Sequence, residues 1–149
     1  NGLKYDSSVF PSMRPGEFNN LALPVSPYIL NDSSIIEFPF TVFSNMVRIP
    51  IALSYIKLLG KPYYYLLRKS QLPQLIIFDF HMHDLFHLAS YSDIQVESLP
   101  YMQRHIYNRI YRHSRINGFE ILNNLISLFE NKGYKFAKLI DIYNTLIKG

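Results

Sequence analysis

Apolar positions in this chain come in short runs with two different periods. Residues 75–80 form a continuous apolar run broken only by Asp79, the pattern of a strand covered on both faces. Residues 3–6 and 34–38 read as two shorter strands, the second stopped by Pro39. Residues 134–138 read as a fourth. Helical spacing predicts helices over 51–59, ended by Gly60, and over 62–69, with Pro62 in its first turn. A further helix is expected over 101–111. The strongest helical signal covers 119–129, where Leu122, Leu125, Ile126 and Phe129 form one stripe. Asn131-Lys132-Gly133 closes it, and residues 140–147 make a last helix.

Between these elements, residues 7–33 carry Pro11, Pro15, Pro24 and Pro27, which forbid a continuous helix or central strand. Residues 86–100 read as loop. Strands alternating with helices predict an α/β fold with mostly parallel strands. Four strands are few for a closed barrel, so the chain reads like the second half of one.

Composition narrows the chemistry. At 149 residues and 48% hydrophobic, the chain is long enough for one domain with a real core. It has no Cys, which excludes a disulfide, a thiolate nucleophile and a Cys-based zinc site. No apolar run reaches the roughly 18 residues of a membrane span. Arg104, Arg109, Arg112 and Arg115 interleave with Tyr101, Tyr107 and Tyr111, a combination able to bind single-stranded nucleic acid. The net charge is only +4, so a solvated helix face is the better reading and no nucleic-acid partner is expected. The run Tyr63-Tyr64-Tyr65 could stack on sugars. On a helix its members point in different directions, which favours a mixture of core and rim. Nothing here identifies a compartment.

The densest chemistry lies at the end of the 75–80 run, in Asp79-Phe80-His81-Met82-His83-Asp84. On an extended strand Asp79, His81 and His83 share one face, and Ile76, Phe78, Phe80 and Met82 the other. Parallel α/β folds place their sites at the carboxyl ends of strands. A lone His is most simply a hydrogen-bonded structural residue; paired His and Asp at a strand end argue for acid–base chemistry.

Several stretches, in this order, resemble the C-terminal half of a polysaccharide deacetylase, the NodB-like domain of carbohydrate esterase family four. Gly2-Leu3-Lys4-Tyr5-Asp6-Ser7-Ser8 resembles the family's segment around Y-D-S-S, and Ile36-Glu37-Phe38-Pro39 its I-E-x-P strand. Arg48-Ile49-Pro50 falls where a further x-x-P segment precedes a helix. His81-Met82-His83-Asp84-Leu85 is similar to its H-P-x-E-L, with Met82 in place of Pro. The helix at 119–131 followed by Gly133-Tyr134-Lys135-Phe136 resembles the closing segment.

The resemblance implies a fold, a reaction and roles. The fold would be the C-terminal half of an irregular (β/α) barrel, with residues 1–149 one portion of a single domain. His81 would be the general acid that protonates the leaving amine, and Asp6 the acid that orients it. Asp84, at the family's Glu position, would fix backbone or the histidine loop; Asp79 and His83 are supporting candidates from their shared strand face, and His83 has no fixed counterpart in the family. The family's metal ligands, a two-Asp strand end and an H-x-x-x-H pair ahead of it, have no counterpart at the matching place. His83 and His87 have that spacing but follow the last catalytic segment. Zinc or another divalent metal is therefore expected in the full-length protein, with none held by this chain. The expected partners are an acetylated oligo- or polysaccharide, and the missing N-terminal half or a second copy. Alone, the chain is expected to be inactive. A non-catalytic carbohydrate- or partner-binding module of the same fold is the alternative.

Overall fold

The extended segments are short because proline repeatedly interrupts their ladders. In the computed structural model, which describes residues 2–14, 17–31, 33–85, 96–112 and 117–148, β1 (Tyr5–Asp6) pairs in parallel with β5 (Ile36–Glu37). On the other side of β5 lies β4 (Tyr28–Ile29), antiparallel to it. A separate antiparallel pair joins β2 (Met13–Arg14) to β3 (Phe18–Asn19). These last three strands fall in the stretch read from sequence as irregular. Two-residue strands are too short to show an alternation, so no pattern marked them.

Pro39 has no N–H to give, yet the chain beyond β5 stays extended. The Phe38 and Phe40 N–H groups donate to the Asp6 and Val9 carbonyls at 2.9 and 2.8 Å. A tight reversal follows: Phe43 N–H donates to Ile49 O and Ile51 N–H to Thr41 O, around the Val42–Pro50 bridge. The 75–80 run docks on this reversal. Thr41 N–H donates to Ile77 O, Leu53 N–H donates to Asp79 O, and Ala52 and Asp79 form a parallel bridge. The paired strands make one three-stranded and one two-stranded sheet, and no barrel is traced among the described residues.

The helices are α1 (Leu53–Leu59), α2 (Lys61–Lys69), α3 (Met82–Leu85), α4 (Tyr101–Tyr107), α5 (Gly118–Asn131) and α6 (Leu139–Lys148). A π-helical turn, Asn108–Arg112, continues α4. α1 passes into α2 through Gly60, whose φ of 70° is a left-handed conformation that glycine adopts freely. Asn117 caps α5 by accepting the Phe119 N–H. Gly133, at φ 87°, ends it, and the Tyr134 N–H returns to the Phe129 carbonyl. That turn takes the Tyr134 amide out of any ladder, and residues 135–138 run exposed instead of forming the expected strand. The core gathers Leu53 and Ile56 of α1, Tyr63 and Leu67 of α2, Leu85, and Ile121, Leu125, Leu128 and Phe129 of α5. No helix among the described residues is long and apolar enough to cross a membrane.

Candidate functional site

Asp79 sits at the bridge with Ala52, so its backbone is fixed where the 75–80 run ends. Its side chain is mostly covered. Burial pushes its carboxyl above the usual range; His81 and His83 oppose this, and Asp84 adds to it. His81 lies next along the chain with its ring in solvent, Nε2 standing 3.8 Å from Asp79 Oδ2. Of the strand expected over 75–80 only the Ala52–Asp79 bridge forms, and His83 lies beyond it in α3. Its ring nevertheless stacks on that of His81, with centroids 4.9 Å apart and planes at 21°.

The turn itself is closed by Asp84. Its Oδ2 accepts the His81 N–H at 2.9 Å, and its own N–H donates to the His81 carbonyl at 2.9 Å. This reciprocal pair satisfies the first amide of a one-turn helix, as a capping box does. Asp84 is 1% exposed, and its Oδ1 has no hydrogen-bond partner among the described residues. Two groups from distant elements meet its backbone. Lys57 of α1 donates through Nζ to the Asp84 carbonyl at 3.1 Å, and Gly118 packs its bare Cα against the same oxygen. Burial pulls the Lys57 ammonium below its ordinary range, and Asp84 opposes the shift.

Asp79, His81, His83 and Asp84 thus lie together, while Asp6 does not join them. Its carboxylate accepts the Ser7 N–H at 2.8 Å and the Ser8 hydroxyl at 2.9 Å, and among the described residues it makes no hydrogen bond or ion pair to His81. Glu37, beside Asp6 in the sheet, is fully buried. Its Oε1 accepts the Ser8 and Val9 N–H groups at 3.1 and 3.0 Å, and its Oε2 has no hydrogen-bond partner among the described residues. Burial, and secondarily Glu37, pushes the hydroxyl of the facing Tyr28 upward.

Sequence reasoning missed Lys57, Gly118 and the role of Glu37. A signal existed for two of them. Lys57 falls four residues after Leu53, on the buried stripe of α1, and Glu37 stands between Ile36 and Phe38 in an apolar strand. His87 and His113 lie outside the described residues.

Two hollows flank the 75–80 run. One, of about 580 Å³, is lined by uncharged groups: Ser26, Thr41, Ser44, Asn45, Gln71 and Gln74 against apolar walls that include Phe43, Leu75 and Ile77. The other, an apolar groove of about 510 Å³, runs between Ile76, Phe78 and Phe80 and helices α5 and α6. Among the described residues no group of three His, Cys, Asp or Glu side chains is arranged to hold a metal ion. No family model matches the chain, and neither a curated protein nor a solved structure matches it.

Proposed function

We propose that this chain supplies the proton-donating part of a carbohydrate deacetylase site, with His81 as general acid. The observation that carries the reading is the exposed His81 imidazole, 3.8 Å from a covered Asp79 carboxylate, on a backbone fastened by Asp84. A general acid needs a titratable proton near the working pH, held where a leaving group can reach it. Histidine is the residue type suited to the first, and the exposure of the His81 ring at the start of α3 supports the second. Asp79, with Oδ2 3.8 Å from the His81 ring nitrogen, takes in this reading the supporting place that the resemblance gives to Asp6. Asp6 instead shapes the turn after β1.

The substrate class, an acetylated oligo- or polysaccharide, comes from the resemblance. The uncharged hollow supports it: neutral polar groups such as Thr41, Asn45 and Gln74, set on apolar walls, suit an uncharged polymer. Zinc or another divalent metal would activate water in such hydrolysis, and among the described residues no group of three His, Cys, Asp or Glu side chains is arranged to hold it. The metal side belongs, in this proposal, to other sequence of the same protein.

The test is steady-state turnover of an N-acetylated oligosaccharide by this chain joined to its metal-binding part. His81→Ala should lower kcat by roughly 10²–10⁴-fold with KM little changed. Near-normal turnover in His81→Ala refutes the assignment. Saturable binding of the oligosaccharide with no acetate released by the unsubstituted protein favours a non-catalytic module, for which the uncharged hollow is the supporting feature.

A further inference from the structure

We infer that Lys57 is a positioning residue for His81, acting through a single atom, the carbonyl oxygen of Asp84. The inference takes from the proposed function only the chemical importance of His81; its geometry stands alone.

α3 spans Met82–Leu85, a single turn. A turn this short does not hold itself in water, so its place is set by contacts from outside. The inner contact is local: Asp84 Oδ2 on the His81 N–H. It ties the histidine to the turn but does not tie the turn to the protein. The outer contacts do. Lys57 Nζ reaches the Asp84 carbonyl across 27 residues of sequence, and the bond is buried. Gly118 also approaches so closely that a Cβ there would lie 2.1 Å from the same oxygen and 2.7 Å from the Leu85 Cα. One carbonyl is therefore pulled by an ammonium and abutted by a bare backbone. His83 precedes Asp84 on the turn and His81 is hydrogen-bonded to Asp84 at the turn's start, so their stacked rings register its placement.

The chemistry of Lys57 argues for this role. It is 8% exposed among Leu53 and Ile56, where a methionine fills the space without burying a charge. Replacing buried charges by apolar side chains of similar volume is often neutral or stabilising. The Lys57 ammonium holds a group that packing alone does not, the carbonyl of Asp84, whose carboxylate accepts the His81 N–H. The carbonyl also keeps the ammonium solvated in place of water.

The experiment uses the 149-residue chain with labelled histidine and leucine and observes the His81 and His83 ring signals and the leucine methyl signals by NMR. Lys57→Met keeps length and volume but removes the donor; Gly118→Ala pushes on the same carbonyl; Lys61→Met, at an exposed lysine of α2, is the control. Both test variants should move both ring signals toward those of unstacked imidazole, with Leu67 core signals unchanged. Lys61→Met should move neither. The double variant should shift the rings by less than the sum of the two, since both act on one atom.

Lys57→Arg, which restores a charged donor, should recover part of the ring positions. In the turnover assay Lys57→Met should lower kcat, by up to roughly 10²-fold, with KM held. Unchanged ring signals in a folded Lys57→Met overturn the inference, and that variant decides alone if Gly118→Ala does not fold. If Lys57→Met moves the rings while His81→Ala keeps its turnover, the positioning stands and the proton-donor reading falls.

Discussion

Replacing Glu37 separates what a buried carboxylate does for the fold from what its charge costs. The side chain is fully buried in β5, and Oε1 alone accepts two backbone N–H groups, from Ser8 and Val9, at 3.1 and 3.0 Å. Hydrogen bonds to a charged acceptor contribute roughly 1.5–3 kcal/mol each. Ser8 is exposed, so in Glu37→Ala its amide regains water. Val9 is half-buried and regains less. The expected loss in Glu37→Ala is therefore about 3 kcal/mol rather than the sum of both bonds. Near the size of this chain, about 2–4 °C accompanies each kcal/mol, so melting should fall by roughly 6–12 °C. Glu37→Gln keeps an oxygen for both amides and removes a charge whose second oxygen, Oε2, has no partner among the described residues. The bonds weaken, but so does the desolvation cost, and the net change should stay within about 1 kcal/mol. Urea and thermal unfolding followed by circular dichroism measure both variants. Glu37→Ala within about 0.5 kcal/mol of the unsubstituted chain refutes the accounting. So does Glu37→Gln as damaging as Glu37→Ala, because the charge itself would then be needed at Oε2.

Two further outcomes follow from single groups. Asp79 has its carboxyl raised by burial, so the folded state holds that proton to higher pH than the unfolded chain does. Its ionisation lowers stability as pH rises from the ordinary aspartate range through the raised folded value, and the penalty is fully present above that. Asp79→Asn should therefore gain melting temperature near neutral pH and none at pH about 2, where both states are protonated; an equal gain at both pH values contradicts this. Tyr63 donates its hydroxyl to the Pro50 carbonyl at 3.1 Å, with the Ile49 carbonyl at 3.3 Å, and burial raises the hydroxyl so that it stays a donor. Tyr63→Phe should cost about 1 kcal/mol in urea unfolding, and no measurable loss would mean that water replaces the bond.

How much of this was legible in the chain depends on the distance over which each feature is decided. Helix α5 could be read because its stripe repeats within a dozen residues and its caps, Asn117 and Gly133, adjoin it. α3 could not. Alternation assigns His83 to a strand face, yet the Asp84 carboxylate and amide close a turn around His81 that no period encodes. Asp79 and His81 could be paired from sequence since two residues of extended chain bring them near each other. Asp6 illustrates the converse. It was expected beside His81, but Ser7 and Ser8 offer donors within two residues, and such local bonds form without any long loop to close. Lys57 and Gly118 lie on separate helices, and only the folded core brings them to one carbonyl. Residue type shows where acid–base chemistry is available, whereas the aim of the imidazole is decided by backbone atoms that carry no sequence signature. A lysine on an apolar helix stripe is the nearest thing to one. In this chain it points to the Asp84 carbonyl, so a search for groups that orient a histidine does well to begin with charged residues that break a buried stripe.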